Sequence, residues 1–231
     1  MSDATKVRLR FAKQGDLRLV SHHDLLRCLE RLLRRAEVPV AHSQGFNPRP
    51  KVVFALALAL GVEGRREILE IDLAEPVPPD QLLERLRAEA PPGLEFLSAE
   101  VVPPGRPAHA RAVSFAFDVP APRLEPAREA VARFLACESW PYTRHRPDRG
   151  RDVPVDLRPF VLDAGLEDDG TLRFRLKITP NGSARPEEVL DALGLRDLLG
   201  LGSVLARTDM ELAEPPNTLA ESASATDRTG P

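Results

Sequence analysis

The chain has 231 residues, of which 42% are hydrophobic and 29% charged, a balance that excludes a wholly disordered polymer and fits one large domain or two small ones. Its net charge of −3 excludes a uniformly basic nucleic-acid coat, and its longest apolar run, Val52–Val62, is too short to cross a bilayer. Two cysteines, Cys28 and Cys137, are too few for an iron–sulfur cluster or a Cys-rich zinc site, and the opening MSDATKVRLRF has no hydrophobic signal core, so a cytoplasmic location without membrane contact is expected.

Val7, Leu9 and Phe11 alternate with Arg8 and Arg10, the period-2 pattern of a strand with one buried face. Ser21 then reads as a helix N-cap with Asp24 three residues on. Leu25, Leu26, Leu29, Leu32 and Leu33 follow at helical spacing, with Arg27, Arg31, Arg34 and Arg35 on the other side and Pro39 beyond the end. After the polar loop His42–Pro50, the run Lys51–Leu60 suits a strand, and Ile68–Leu73 reads as its hairpin partner. A second helix is predicted over Asp80–Ala90 and a last strand over Leu94–Val101, completing a βαββαβ order.

A Pro/Gly-rich linker follows, and the order repeats. Val113–Val119 alternates as a strand, Glu125–Cys137 fits a helix, Val153–Leu162 and Leu172–Ile178 read as a strand pair, Arg185–Glu188 opens a short helix and Val204–Leu212 closes with a strand. The predicted fold is therefore α+β, with two tandem ferredoxin-like domains. They span 1–102 and 112–213, joined by a linker at 103–111 and followed by a disordered Pro/Ser/Thr/Ala-rich tail at 214–231.

Charge is unevenly placed. Residues 1–62 hold eleven Lys/Arg against five Asp/Glu, a net of +6, so with a total of −3 the remainder carries −9. The first third is the anion-facing candidate. Arg27, Arg31, Arg34 and Arg35 share one helix face with only Glu30 and Glu37 near them, which fits a phosphate-rich or acidic partner. A general preference for Arg over Lys explains them equally, since the chain has four lysines: Lys6, Lys13, Lys51 and Lys177. In the loop, Ser43, Gln44, Asn47 and Arg49 offer polar groups beside Gly45 and Phe46. Core anchoring is the expected role of Phe46, and base stacking is the other. Arg8 and Arg10 are expected to meet Glu70 and Asp72 across strands. Arg173, Arg175 and Lys177 form a second row without clear acidic partners, and Arg144–Arg146 with Arg149 and Arg151 form a third cluster.

His22 and His23 sit side by side at the helix start, but no His or Glu follows at the spacing a helical metal site needs, so neither metal nor other cofactor is implied. Walker A, dinucleotide GxGxxG, GxSxG and CxxxCxxC patterns are all missing, and no catalytic residue is assigned.

Ser21-His22-His23-Asp24-Leu25-Leu26-Arg27, Arg31–Arg35, Pro39 and Ser43–Pro50 together resemble the opening signature of the radical SAM-associated domain family of unknown function, with His23 standing where that family usually has Leu. Gly61 and Glu67 match it too, and Val155-Asp156-Leu157-Arg158-Pro159 and Arg207-Thr208-Asp209 resemble its later motifs, so the likeness covers about residues 6–212. It implies a non-catalytic accessory role beside a radical SAM enzyme that supplies the chemistry. Ser21, His22, Asp24, the four arginines, Ser43–Asn47, Arg49, Asp156, Arg158 and Arg207 are then the binding candidates, for that partner and for RNA. Two alternatives stand beside it: a metal-independent RNA-processing protein using His22 or His42 as acid–base groups, and a purely structural interaction module.

Overall fold

The computed structural model describes residues 5–145, 150 and 152–213. The expected tail at 214–231 lies outside the described residues, as do Arg146, Arg149 and Arg151 of the third basic cluster. The elements of the first half are β1 (Thr5–Lys13), α1 (His22–Arg35), β2 (Val52–Phe54), β3 (Glu63–Leu73), α2 (Pro79–Glu89) and β4 (Leu94–Val102). Those of the second half are β5 (Ala110–Asp118), α3 (Leu124–Ala136), β6 (Pro141–Arg144), β7 (Val153–Asp156), β8 (Val161–Leu166), β9 (Thr171–Lys177), α4 (Pro186–Ala192), α5 (Asp197–Gly200) and β10 (Leu205–Leu212). The fold is mixed α+β.

One eight-stranded sheet runs through both halves in the order β4-β1-β3-β10-β5-β9-β8, with the short β2 pairing β3 and with β6 and β7 forming a separate hairpin. The halves meet where β10 pairs β3 in parallel over only two residue pairs, Ala206 with Glu63 and Arg207 with Gly64. Every other ladder in the large sheet is antiparallel.

Period-2 alternation in the strands and the leucine stripe of α1 meet in one core. Val7, Leu9, Phe11, Leu69, Ile71 and Phe96 pack against Leu25, Leu29, Leu32 and Leu33 of α1 and Leu82 and Leu86 of α2. A second core joins Phe115, Phe117, Leu172 and Phe174 to Val131 and Phe134 of α3 and Val189 and Leu190 of α4. It also takes in Ala55, Leu58, Val62 and Ile68 from the first half. At about 25 cal/mol per Å2, burial of this apolar surface dominates the stability of both halves.

The run Lys51–Leu60 is a strand only over Val52–Phe54. The carbonyls of Leu56 and Ala57 accept from the Arg207 guanidinium instead of from a neighbouring strand, so the ladder ends there. The expected strand Val153–Leu162 is divided in two by a single 3-10 turn at Arg158–Phe160, where Pro159 has no N–H to give to a ladder.

The sheet face away from α1 and α2 carries ion pairs. Arg8 meets Glu70 directly opposite it, 2.9 Å away, and Arg10 reaches Asp209 of the second half at 3.5 Å. Asp72 pairs with Lys51 rather than with an arginine. Contrary to expectation, the second arginine row has acidic partners: Arg173 pairs with Glu167, and Arg175 with Asp163 and Glu211. Asp163 lies opposite Arg175 in the adjacent β8 and Glu167 in the turn after it, whereas Glu211 arrives from β10, a strand 36 residues beyond Arg175 that pairs with β5 rather than with β9, and that partner could not be read from the sequence.

Candidate functional site

Ser21 caps α1 as its sequence predicts. Its Oγ accepts the Asp24 N–H at 3.2 Å and donates to the Asp24 carboxylate at 2.7 Å. The helix that this cap starts buries its leucines and turns Arg27, Arg31 and Arg34 outward. Those three guanidinium side chains line a groove of about 720 Å3 together with Glu30, His42 and an apolar floor of Leu33, Val38, Pro39, Val40 and Pro50. Arg27 has a partner one turn back in Asp24, at 3.3 Å. Arg35 leaves the groove and grips Glu89 of α2 through both its carboxylate, at 2.8 Å, and its carbonyl, at 2.9 Å. Arg31 and Arg34 are exposed and have no carboxylate within ion-pair distance among the described residues. Two of four predicted anion-binding arginines are therefore neutralised locally, and two are not.

The opposite wall of the groove is the stem of the loop His42–Pro50. His42 and Pro50 form an isolated β-bridge, the Ser43 N–H donates to the Arg49 carbonyl at 2.9 Å, and the Arg49 N–H donates to Ser43 Oγ at 3.0 Å. Gly45 takes φ +138°, a region that side chains resist, and this allows the tip to reverse. Gln44, Phe46, Asn47 and Arg49 are exposed on it. Phe46 is not a core anchor. Its ring is fully exposed, because the bonds across Ser43 and Arg49 close the loop without using the side chain.

His22 does not join the groove. Its ring packs edge-on against Phe54, centroids 4.8 Å apart, and Nδ1 is buried without a hydrogen-bond partner. Burial first, and then the positive fields of His23, Lys13 and Arg207, hold its pKa below the usual 6.5. Because the folded chain binds this proton less readily than the unfolded chain does, the resulting stability is complete above pH 6.5 and declines as pH falls below it. The urea midpoint is expected to drop between pH 7.5 and 5.5 in the native chain, and to drop less in His22→Gln. Equal pH profiles for the two proteins would contradict this role for the imidazole. His42, the other acid–base candidate, lies on the groove rim, so the two histidines do not form a pair around one cavity.

The candidates from the later motifs are engaged inside the fold. Asp156 accepts the N–H groups of Trp140 at 2.7 Å and Arg158 at 3.1 Å, and the first of these, with help from Ser139, holds its carboxyl below the usual range. Arg158 donates to the carbonyls of Val161 and Leu135. Arg207 is buried against both oxygens of Glu67, with Nε to Oε1 at 2.8 Å. Lys13, fully buried beside them, donates to the Val20 carbonyl at 2.8 Å; desolvation lowers its pKa while Glu67 opposes that effect. In the third basic cluster, Arg144 is likewise tied to Glu188 at 2.5 Å.

Sequence reasoning missed the Lys13–Glu67–Arg207 cluster. The structure shows the close packing at Gly64, where a Cβ would lie 2.5 Å from Glu67 Cγ, so the Glu67 side chain folds back over the space this glycine leaves. Among the described residues no helix is long and apolar enough to cross a membrane, and no group of three or more His, Cys, Asp or Glu side chains is placed to hold a metal ion.

The model of a family described as an uncharacterized protein conserved in bacteria, DUF2344, matches residues 6–186, and the chain belongs to that family. Comparison with curated proteins gives no match. Among solved structures, a crystal structure of an unknown protein from Galdieria sulphuraria aligns with 92% of this chain and 100% of its own, at 14% identity and a TM-score of 0.29.

Proposed function

We propose that this member of the DUF2344 family is a non-catalytic accessory protein of the cytoplasm that holds RNA in the arginine groove of its first half, beside a radical SAM enzyme that carries out the chemistry. The observation that carries the RNA reading is the pair Arg31 and Arg34, exposed, with no carboxylate within ion-pair distance among the described residues, and lining one groove with Arg27, Glu30 and His42. An exposed guanidinium without a carboxylate is free to take a phosphate oxygen in its planar fork. The apolar floor beneath suits the sugar and base edges that accompany the phosphates. The radical SAM partner is supported by the resemblance of Ser21–Arg27 and Ser43–Pro50 to radical SAM-associated domains.

The strand orders β4-β1-β3-β2 and β10-β5-β9-β8 repeat one arrangement, which supports reading each half as a ferredoxin-like unit with the β6–β7 hairpin inserted in the second. On this reading α1 and its groove lie on the helical side of the first unit, and the ion-paired sheet face is not the RNA surface.

The test is a titration of the purified chain with labelled oligo-uridylate at increasing salt. With two to four phosphate contacts, log K is expected to fall against log salt with a slope of about −1.4 to −2.8. No binding at low salt, or an affinity indifferent to salt, overturns the RNA reading. Affinity purification from the native cell that yields no iron–sulfur protein removes the radical SAM partner.

A further inference from the structure

The chain has nine phenylalanines, and eight of them are buried or half-buried. Phe46 has a relative exposure of 106%, at the tip of a loop that is held shut from below. The stem bonds between Ser43 and Arg49 and the His42–Pro50 bridge are continued by Lys51 N–H to the Ala41 carbonyl, 2.8 Å, and Ala41 N–H to the Asp72 carbonyl, 2.7 Å, which tie the loop to β3. An apolar ring is therefore presented to water on a braced support.

We propose that Phe46 is a base-stacking platform that makes the arginine groove select unpaired RNA; the proposal rests on the RNA reading of that groove. His42 and Pro50, the residues at the foot of the loop, are themselves groove-lining residues. Phe46 is four positions from each, and an extended chain covers at most about 3.6 Å per residue, so its Cα stands within about 14 Å of theirs. One short oligonucleotide spans that distance. The loop segment His42–Lys51 contains no Asp or Glu, and the exposed Gln44, Asn47 and Arg49 on the same loop add hydrogen-bond donors and positive charge.

A protein-docking anchor would be built differently. Such anchors lie in the middle of a contiguous apolar patch that excludes water around them. Gln44, Gly45, Asn47, Pro48 and Arg49 are all exposed beside Phe46, and none is a large apolar side chain. An exposed ring on the loop that walls a groove lined by Arg31 and Arg34, which make no ion pair among the described residues, matches the combination by which single strands are bound, namely guanidiniums for the phosphates and an aromatic face for a base. Bases in an A-form duplex are already stacked on one another and leave no face for the ring, so the platform acts on unpaired RNA. Because the loop is braced before binding, little ordering entropy is lost when the stack forms.

The test compares wild type, Phe46→Ala and Phe46→Trp for binding to oligo-uridylate and to an RNA duplex of the same length. The alanine variant is expected to lose roughly fivefold to a hundredfold in affinity for oligo-uridylate at an unchanged salt slope, and to bind duplex as the wild type does; the tryptophan variant keeps wild-type affinity. If the alanine variant binds oligo-uridylate like the wild type while charge reversal at Arg31 and Arg34 still abolishes binding, the platform is overturned and the groove reading stands. If wild type binds neither RNA, both fall together. If the alanine variant loses duplex and single-strand binding equally, the ring serves contact in general and the selection for unpaired RNA is refuted.

Discussion

Glu67→Ala is expected to destabilise the folded chain by about 3–5 kcal/mol, enough to bring a domain of ordinary stability close to unfolding at room temperature. The Glu67 carboxylate accepts from Nε and from a terminal nitrogen of Arg207, and its charge also acts on Lys13. Lys13, Glu67 and Arg207 are 0%, 2% and 4% exposed, so without the carboxylate two cations remain in the interior with only the carbonyls of Val20, Leu56 and Ala57 to receive them. Desolvation of a buried charge is tolerated only while its partner is present, which makes removal of one member far more costly than removal of both. The double variant Glu67→Leu/Arg207→Met is therefore expected to recover a large part of the loss. Urea denaturation of the two proteins measures both effects. A destabilisation below about 1 kcal/mol for Glu67→Ala would show that the cluster does not hold the halves together. The position matters because Arg207 belongs to the two-residue parallel pairing that joins β10 to β3.

Charge reversal at Arg31 and Arg34 has the second large expected effect, on binding rather than on folding. Both side chains are exposed and make no ion pair among the described residues, so Arg31→Glu/Arg34→Glu is expected to change stability by no more than about 0.5 kcal/mol. Its affinity for oligo-uridylate near 0.1 M salt is expected to fall by about tenfold to a hundredfold, since two phosphate contacts are lost and two repulsive charges take their place. The salt slope is expected to become shallower by about 1.4, the share of two contacts on a single strand. Arg35→Glu supplies the contrast, because Arg35 is already bound to Glu89 and leaves the groove charge largely as it was. Fluorescence anisotropy at several salt concentrations separates the cases. An unchanged slope in the double variant would place the phosphates elsewhere on the molecule.

Local patterns carried the first half well. The Ser21 cap, the leucine stripe at positions 25 to 33 and the alternation of Val7, Leu9 and Phe11 depend on neighbours a few residues away, and each element forms within a residue or two of where that spacing puts it. The same holds for Arg8 opposite Glu70, since adjacent antiparallel strands bring like-facing residues together. Lys51–Leu60 reads as a strand by composition, yet its second part is held by a side chain from near the far end of the chain. Nothing in a window of ten residues contains that information. Phe46 was misplaced for a related reason: hydrophobicity favours burial of a phenylalanine, but whether a loop folds inward depends on where its stem is anchored.

The amino-acid sequence alone determined the α+β class, the βαββαβ order of the first half, the basic character of the first sixty residues and the helix face on which the arginines lie, because periodicity and charge act through near neighbours; the β6–β7 hairpin and the division of Val153–Leu162 escaped it. Only the tertiary structure decided which of those arginines are already neutralised, that His22 is turned away from the groove, and that Glu67 and Arg207, 140 residues apart, close one buried ion pair. Those outcomes follow from which strands become adjacent in the sheet. That adjacency is chosen by the burial of two cores at once, a property of the whole chain that no single segment encodes.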